Sequence, residues 1–196
     1  MHELFLLIYR QPLRRIVFWM ILLAFLWGWL GYREKGSLRW RVGNFLLFLG
    51  TVAAVFYMTV YTRGEGTGEA VLVPFQSLQA AKVQPEVYRA MLMNVFLFVP
   101  LGLTLPFVLG KGWFPGFFTV LAGLAFSAGI EYLQYRYALG WCEVDDVIMN
   151  TLGAQLGCLA HWLTRNWQRR VIPAWELLKK TFLRAVKTLR GYCHKK

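Results

Sequence analysis

IEYLQYRYALGWCEVDDVIMNTLGAQLG, residues Ile130 to Gly157, is the stretch on which the fold turns. Glu131, Gln134, Asp145, Asp146 and Asn150 collect here, at the end of one long hydrophobic run and the start of the next. Ionisable groups near membrane depth are expensive, and they face a bundle interior or a water-filled cavity. The stretch therefore predicts a polar site within an all-α membrane helix bundle. Glu131 and Gln134 are three apart and share a helix face, as do Asp146 and Asn150, four apart. An Asp in the first turn of a helix is favoured by the positive end of the macrodipole. One of Asp145 and Asp146 is thus expected to cap the helix that begins there and the other to line the site; the sequence does not say which. Gly153 and Gly157 form a GxxxG pair, which predicts close packing on another helix of the bundle.

Composition excludes the ordinary alternatives. With 57% hydrophobic and 16% charged residues over 196 positions, the chain is too apolar for a soluble domain of its length. Its apolar residues fall in blocks of about twenty, the length a helix needs to cross a bilayer. The net charge of +12 is interleaved with those blocks, which points to a membrane surface rather than nucleic acid. Cys142, Cys158 and Cys193 lie in separate segments without metal-ligand spacing, so neither a metal site nor a disulfide framework is expected.

Outward from the polar stretch, the chain divides into three parts. Residues 1–41 carry an apolar span, Ile16 to Tyr32, after the basic cluster Arg10, Arg14 and Arg15, and then the basic linker REKGSLRWR. The span ends in Trp27, Trp29 and Tyr32, as at a membrane interface, and no small-residue cleavage site follows it. The upstream HELFLLIYR is expected to lie along the surface. Residues 42–164 form the transmembrane core, with blocks at Val42–Thr62, Val87–Leu109 and Trp113–Tyr135 before the block that starts at Asp145. The third block holds Asn94, for which an interhelical hydrogen bond is the simplest role, and Pro100 and Pro106, which are expected to kink it. In the fourth, Ala122, Ala125, Phe126 and Gly129 are expected to present a small face to a neighbour. The loop between the second and third blocks opens with the flexible RGEGTGE and continues as the apolar VLVPFQSLQA. That half is expected to pack over the polar site as a re-entrant or interfacial segment, or to anchor at the interface through Phe75 and Leu78.

Residues 165–196 carry ten Lys or Arg against the single acid Glu176. Val171, Trp175, Leu178, Phe182, Val186 and Leu189 recur at spacings of three and four, so this tail reads as a basic amphipathic interfacial helix, roughly Pro173 to Arg190. With five spans and the tail inside, fifteen Lys and Arg lie on the tail's side and seven on the other. The expected location is a cell membrane, multi-pass, with the polar site outside and the tail cytoplasmic.

Four separated stretches, in order, resemble the VanZ-like family: LVPF (72–75), NVFLFVPLG (94–102), IEYLQ (130–134) and DDVIMNTLGAQLG (145–157). Members of that family are small polytopic membrane proteins, and its namesake is linked to low-level resistance to teicoplanin, a lipoglycopeptide. The resemblance places Glu131, Gln134, Asp146, Asn150, Asn94 and Pro100 on the family's motif positions.

Three functions are compatible with these residues. The first is a non-catalytic binder of an amphiphile, either a lipoglycopeptide or an envelope lipid such as a cell-wall precursor. Its ligand-binding residues would be Glu131, Gln134, Asp146, Asn150, Asn94, Pro74 and Phe75. The second is an intramembrane enzyme using Glu131 with Asp145 or Asp146 as an acid–base pair; no Ser-His or Cys-His pairing is visible, and His161 stands far from the acids. Only a hard cation such as Mg²⁺ or Ca²⁺ would suit carboxylates alone. The third is a small transporter or accessory subunit, for which a homo-oligomer through the GxxxG face would be one way to build a pathway. The first is preferred, and it calls for no cofactor and no metal. Its partners are membrane lipids and the amphiphile.

Overall fold

The computed structural model describes residues 12–33, 37–66, 68–110 and 115–193. The stretch HELFLLIYR, linker residues 34–36 and the turn residues after Gly110 lie outside the described residues. The described chain is overwhelmingly helical: α1 (Leu13–Arg33), α2 (Leu38–Phe56) running into a π-helical turn (Tyr57–Tyr61), α3 (Gln76–Ala81), α4 (Pro85–Leu109), α5 (Pro115–Arg136) and α6 (Val144–Cys193). Two short strands, β1 (Ala70–Val71) and β2 (Cys142–Glu143), pair in parallel, with Ala70 opposite Cys142 and Val71 opposite Glu143.

Local chemistry accounts for the helix ends. Ser37 caps α2 by accepting a hydrogen bond from Trp40 N–H at 3.1 Å. Pro85 opens α4 at the position where a missing N–H costs nothing. Gly110, at φ 75°, closes it. Within the helices, hydroxyls of Thr51, Thr59, Thr104, Thr119 and Thr151 donate to the carbonyl four residues earlier, which satisfies each of them against apolar surroundings. Among the described residues, three helices are long and apolar enough to cross a membrane: Leu38–Tyr61, Pro85–Leu109 and Pro115–Arg136. α4 stays helical through both Pro100 and Pro106.

α4 is the axis of the bundle, packed against α2, α5 and α6. Two apolar layers form around it, Val55, Phe98 and Ile130 in one and Leu101, Leu105 and Ala154 in the other. The GxxxG pair lets α6 lie directly on α4. A Cβ on Gly153 would stand 2.1 Å from the Val95 carbonyl oxygen, and one on Gly157 2.1 Å from that of Val99. The partner of this pair is thus a helix of the same chain, as the sequence predicts.

α5 packs through a different face from the expected one. Thr119, Gly123, Ser127, Ile130, Glu131 and Gln134 are buried, whereas Ala122, Ala125 and Gly129 are exposed, with open space around Gly129. Of the four small-face residues, Phe126 alone reaches the core. The reason is Ala154 of α6: its methyl sits where a Cβ on Gly123 would be, 2.6 Å away, and so selects the Gly123 side.

The tail is helical as far as Cys193, as expected, and it continues α6 without a break through Pro173. At 1.5 Å per residue, that single helix is about 75 Å long.

Candidate functional site

The C-terminal ends of α2 and α5 and the N-terminal ends of α4 and α6 meet at one end of the bundle, and the polar residues lie there. Glu131, Gln134, Asp145 and Asn150 are all buried. Asp146 is less enclosed, with 15% of its side chain exposed.

The two adjacent aspartates have separate partners. Asp145 binds the loop: its Oδ1 accepts Phe75 N–H at 2.5 Å and its Oδ2 accepts Ser77 N–H at 2.7 Å. These are donors at the start of α3, so Asp145 caps a helix, but not the one it begins. Phe75 holds φ 65°, a left-handed conformation that costs a non-glycine residue roughly 1–3 kcal/mol, and the carboxylate fixes it there. Ser77 Oγ also donates to Glu143 Oε2 at 2.7 Å. Glu131 Oε2 accepts Glu143 N–H at 2.9 Å.

Asp146 faces the bundle interior. Asn94 Nδ2 donates to its Oδ1 at 2.6 Å, the interhelical bond expected for Asn94. Arg63 approaches its Oδ2 at 3.6 Å. The same guanidinium donates to Gln134 Oε1 at 3.2 Å, and Gln134 Nε2 donates to the Thr59 carbonyl at 2.8 Å. Thr59 lies in the π-helical turn, a distortion of the i→i−4 pattern that frequently occurs at functional sites. One turn deeper, Asn150 Nδ2 donates to Ser127 Oγ at 2.9 Å, while its buried Oδ1 has no partner among the described residues.

The apolar loop is fastened across this end. Besides the Asp145 bonds, Gly66 N–H donates to the Ala138 carbonyl at 2.7 Å and Cys142 N–H to that of Glu69 at 2.9 Å. Leu72, Val73, Phe75, Leu78 and Val83 are left exposed on it. Pro74 is exposed as well, so what Phe75 brings to the cluster is its backbone N–H rather than its ring. Burial, then the Glu131 carboxylate, push the Cys142 thiol above its usual range.

Sequence reasoning places Asn94, Glu131, Gln134, Asp145, Asp146 and Asn150 together, and the structure brings all six to this end. Pro100 lies deeper on α4 and is exposed. Arg63, Ser77, Ser127, Glu143 and the Thr59 carbonyl were not legible as site groups. Arg63 and Gln134 are separated by 71 positions, and the signal available was a lone arginine at the end of an apolar block. His161 is far from this cluster, edge-on to Phe107 at 4.3 Å between ring centroids. No group of three or more His, Cys, Asp or Glu among the described residues could hold a metal ion. The cluster gathers four carboxyl groups and the Arg63 guanidinium, with an apolar edge. That arrangement can hold a polar group by hydrogen bonds and charge while an attached hydrocarbon stays in lipid.

A family model described as VanZ/LLP1 matches residues 45–165, a range that includes every residue of the cluster. Protein VanZ of Enterococcus faecium is 36% identical over 80 residues, which is 40% of this chain and 48% of that protein. The chain thus matches about half the length of that relative. No solved structure matches.

Proposed function

The chain belongs to the VanZ/LLP1 family, and from that premise we propose that it is a non-catalytic membrane binder of an amphiphile. The ligand is a lipoglycopeptide such as teicoplanin or an envelope lipid, and binding contributes to glycopeptide resistance or envelope homeostasis. The observation that carries this reading is the junction of two surfaces: a buried, hydrogen-bonded polar cluster beneath a loop whose exposed side chains are Leu72, Val73, Phe75, Leu78 and Val83. An amphiphile has the same division, a polar head joined to an acyl or prenyl tail. Arg63, with 33% of its side chain exposed, offers donors to an acidic head group. The excess of carboxylates suits an amine. The unpartnered Oδ1 of Asn150 is a buried acceptor that a donor from the ligand or from water would satisfy.

Binding is favoured over acid–base chemistry because both aspartates that could pair with Glu131 are already engaged. Both oxygens of Asp145 accept backbone N–H groups, and Asp146 is held by Asn94 and Arg63. An acid or base must be able to exchange its proton with a substrate.

In the membrane, α1 and the first part of α6 add two crossings to the three apolar spans. The excess of Lys and Arg then puts the tail in the cytoplasm and the polar end outside. The test is lipoglycopeptide susceptibility in a Gram-positive host, with wild type, Glu131→Gln and Asp146→Asn at matched membrane levels. Protection that both variants weaken is the expected result. A complete loss with Glu131→Gln alone, ligand binding being retained, would favour chemistry instead. Well-expressed wild type that gives no protection and retains no lipid would sink the binding reading.

A further inference from the structure

Among the described residues, nothing covers the side chains of α6 beyond Trp167. Asp145 and Asp146 start the helix at the polar end, and His161 packs against α4 near the other. From Trp167 to Leu183 every described side chain is exposed. Trp175 is 66% exposed, Leu178 64% and Phe182 69%, and they fall on one stripe at spacings of three and four. The sequence continues that stripe with Val186 and Leu189 and flanks it with Lys179, Lys180, Lys187 and Arg190. A lone helix in water gains little from propensity, and most helical stability comes from packing an amphipathic face. This helix therefore needs a surface that is apolar within and anionic at its rim.

An anionic lipid bilayer supplies both, and the spans already tether the helix to one. The geometry adds a requirement. If α6 leaves the bundle straight, it carries its stripe away from the bilayer. Pro173 lies at the head of the stripe and has no N–H to give the Arg169 carbonyl, so the helix is weakest against bending there. We propose that residues 173–190 are a docking helix for an anionic lipid surface on the side opposite the polar site. α6 bends at Pro173 to lay Trp175, Leu178 and Phe182 into the headgroup boundary.

The test uses the full chain in nanodiscs of phosphatidylcholine, with or without about one third phosphatidylglycerol. Leu178→Cys, with Cys142, Cys158 and Cys193 changed to Ser, carries an environment-sensitive fluorophore. A second protein carries spin labels at Leu159→Cys and Phe182→Cys. In anionic discs the fluorophore should shift to the blue and be quenched by nitroxides on the lipid chains, and high salt should reverse both. The bound-to-free ratio should rise by about tenfold or more over neutral discs. The distance between the spin labels should fall below the roughly 35 Å of a straight helix, and Pro173→Ala should restore it. A fluorophore that stays in water in both discs would overturn the proposal, as would equal burial in neutral discs. Burial seen only when two copies share a disc would assign the stripe to a second chain and overturn it too. Bending that survives Pro173→Ala would overturn the hinge.

Discussion

Asp145 and Asp146 differ in what they touch because successive residues on a helix point about 100° apart. Asp145 faces the loop and α3, and Asp146 faces Arg63 and Asn94. Asp145→Ala would leave the Phe75 and Ser77 N–H groups without their acceptor, at a cost of about 1–3 kcal/mol. Its expected signature is a lower thermal midpoint in detergent and faster hydrogen exchange across residues 69–84, whereas Asp146→Asn should leave that exchange unchanged. Equal loosening by both would show that the loop does not hang on Asp145. Cys142 offers a second reading of the same corner. Its raised pKa leaves less thiolate at neutral pH, so maleimide should label it more slowly than an unhindered cysteine. Burial is the larger cause and the Glu131 carboxylate the next, so Glu131→Gln should recover part of the rate, and unchanged labelling would remove Glu131 as a cause. The sequence shows both aspartates but cannot separate them. Their difference depends on where α3 lies, nearly seventy positions upstream.

At the scale of elements, periodicity serves well wherever a helix is bounded by Pro, Gly or a polar run. The spans expected at Val42–Thr62 and Val87–Leu109 correspond closely to Leu38–Tyr61 and Pro85–Leu109. It serves less well in choosing a packing face. α5 carries small residues on more than one side, and only the position of Ala154 on another helix decides that Gly123, not Gly129, is covered. This gives a paired prediction. Gly153→Val or Gly157→Val would drive a side chain into the α4 backbone and should cost about 3 kcal/mol or more, read as loss of a monodisperse, folded species in detergent. Gly129→Ala has open space around it and should be neutral or stabilise by about 0.5–1 kcal/mol. The reverse order of effects would put the wrong face of α5 in the bundle. The Pro173 junction was also beyond sequence reading. A proline after a span marks a helix end as readily as a bend, and only the continuous α6 favours the latter.

At the scale of the molecule, the packing of α4, α5 and α6 fixes which loops share a side without fixing how many helices cross. α4 leads away from the polar end, α5 returns to it, and α6 leaves again. The segments around Val83 and Tyr137, both exposed, must therefore lie together, opposite Trp175. The ten Lys and Arg from Arg165 onward predict the side, because such charge resists translocation. In a background without native cysteines, Val83→Cys and Tyr137→Cys should react with a membrane-impermeant maleimide in intact cells. Glu176→Cys, off the apolar stripe of the tail, should react only after permeabilisation. Opposite sides for Val83 and Tyr137 would contradict the bundle itself. If both were instead protected and Glu176→Cys labelled, the bundle would stand with the polar cluster facing the cytoplasm. A lipoglycopeptide arriving from outside could not then reach Arg63 or Asp146 without crossing the bilayer, and the ligand would have to be a lipid of the inner leaflet.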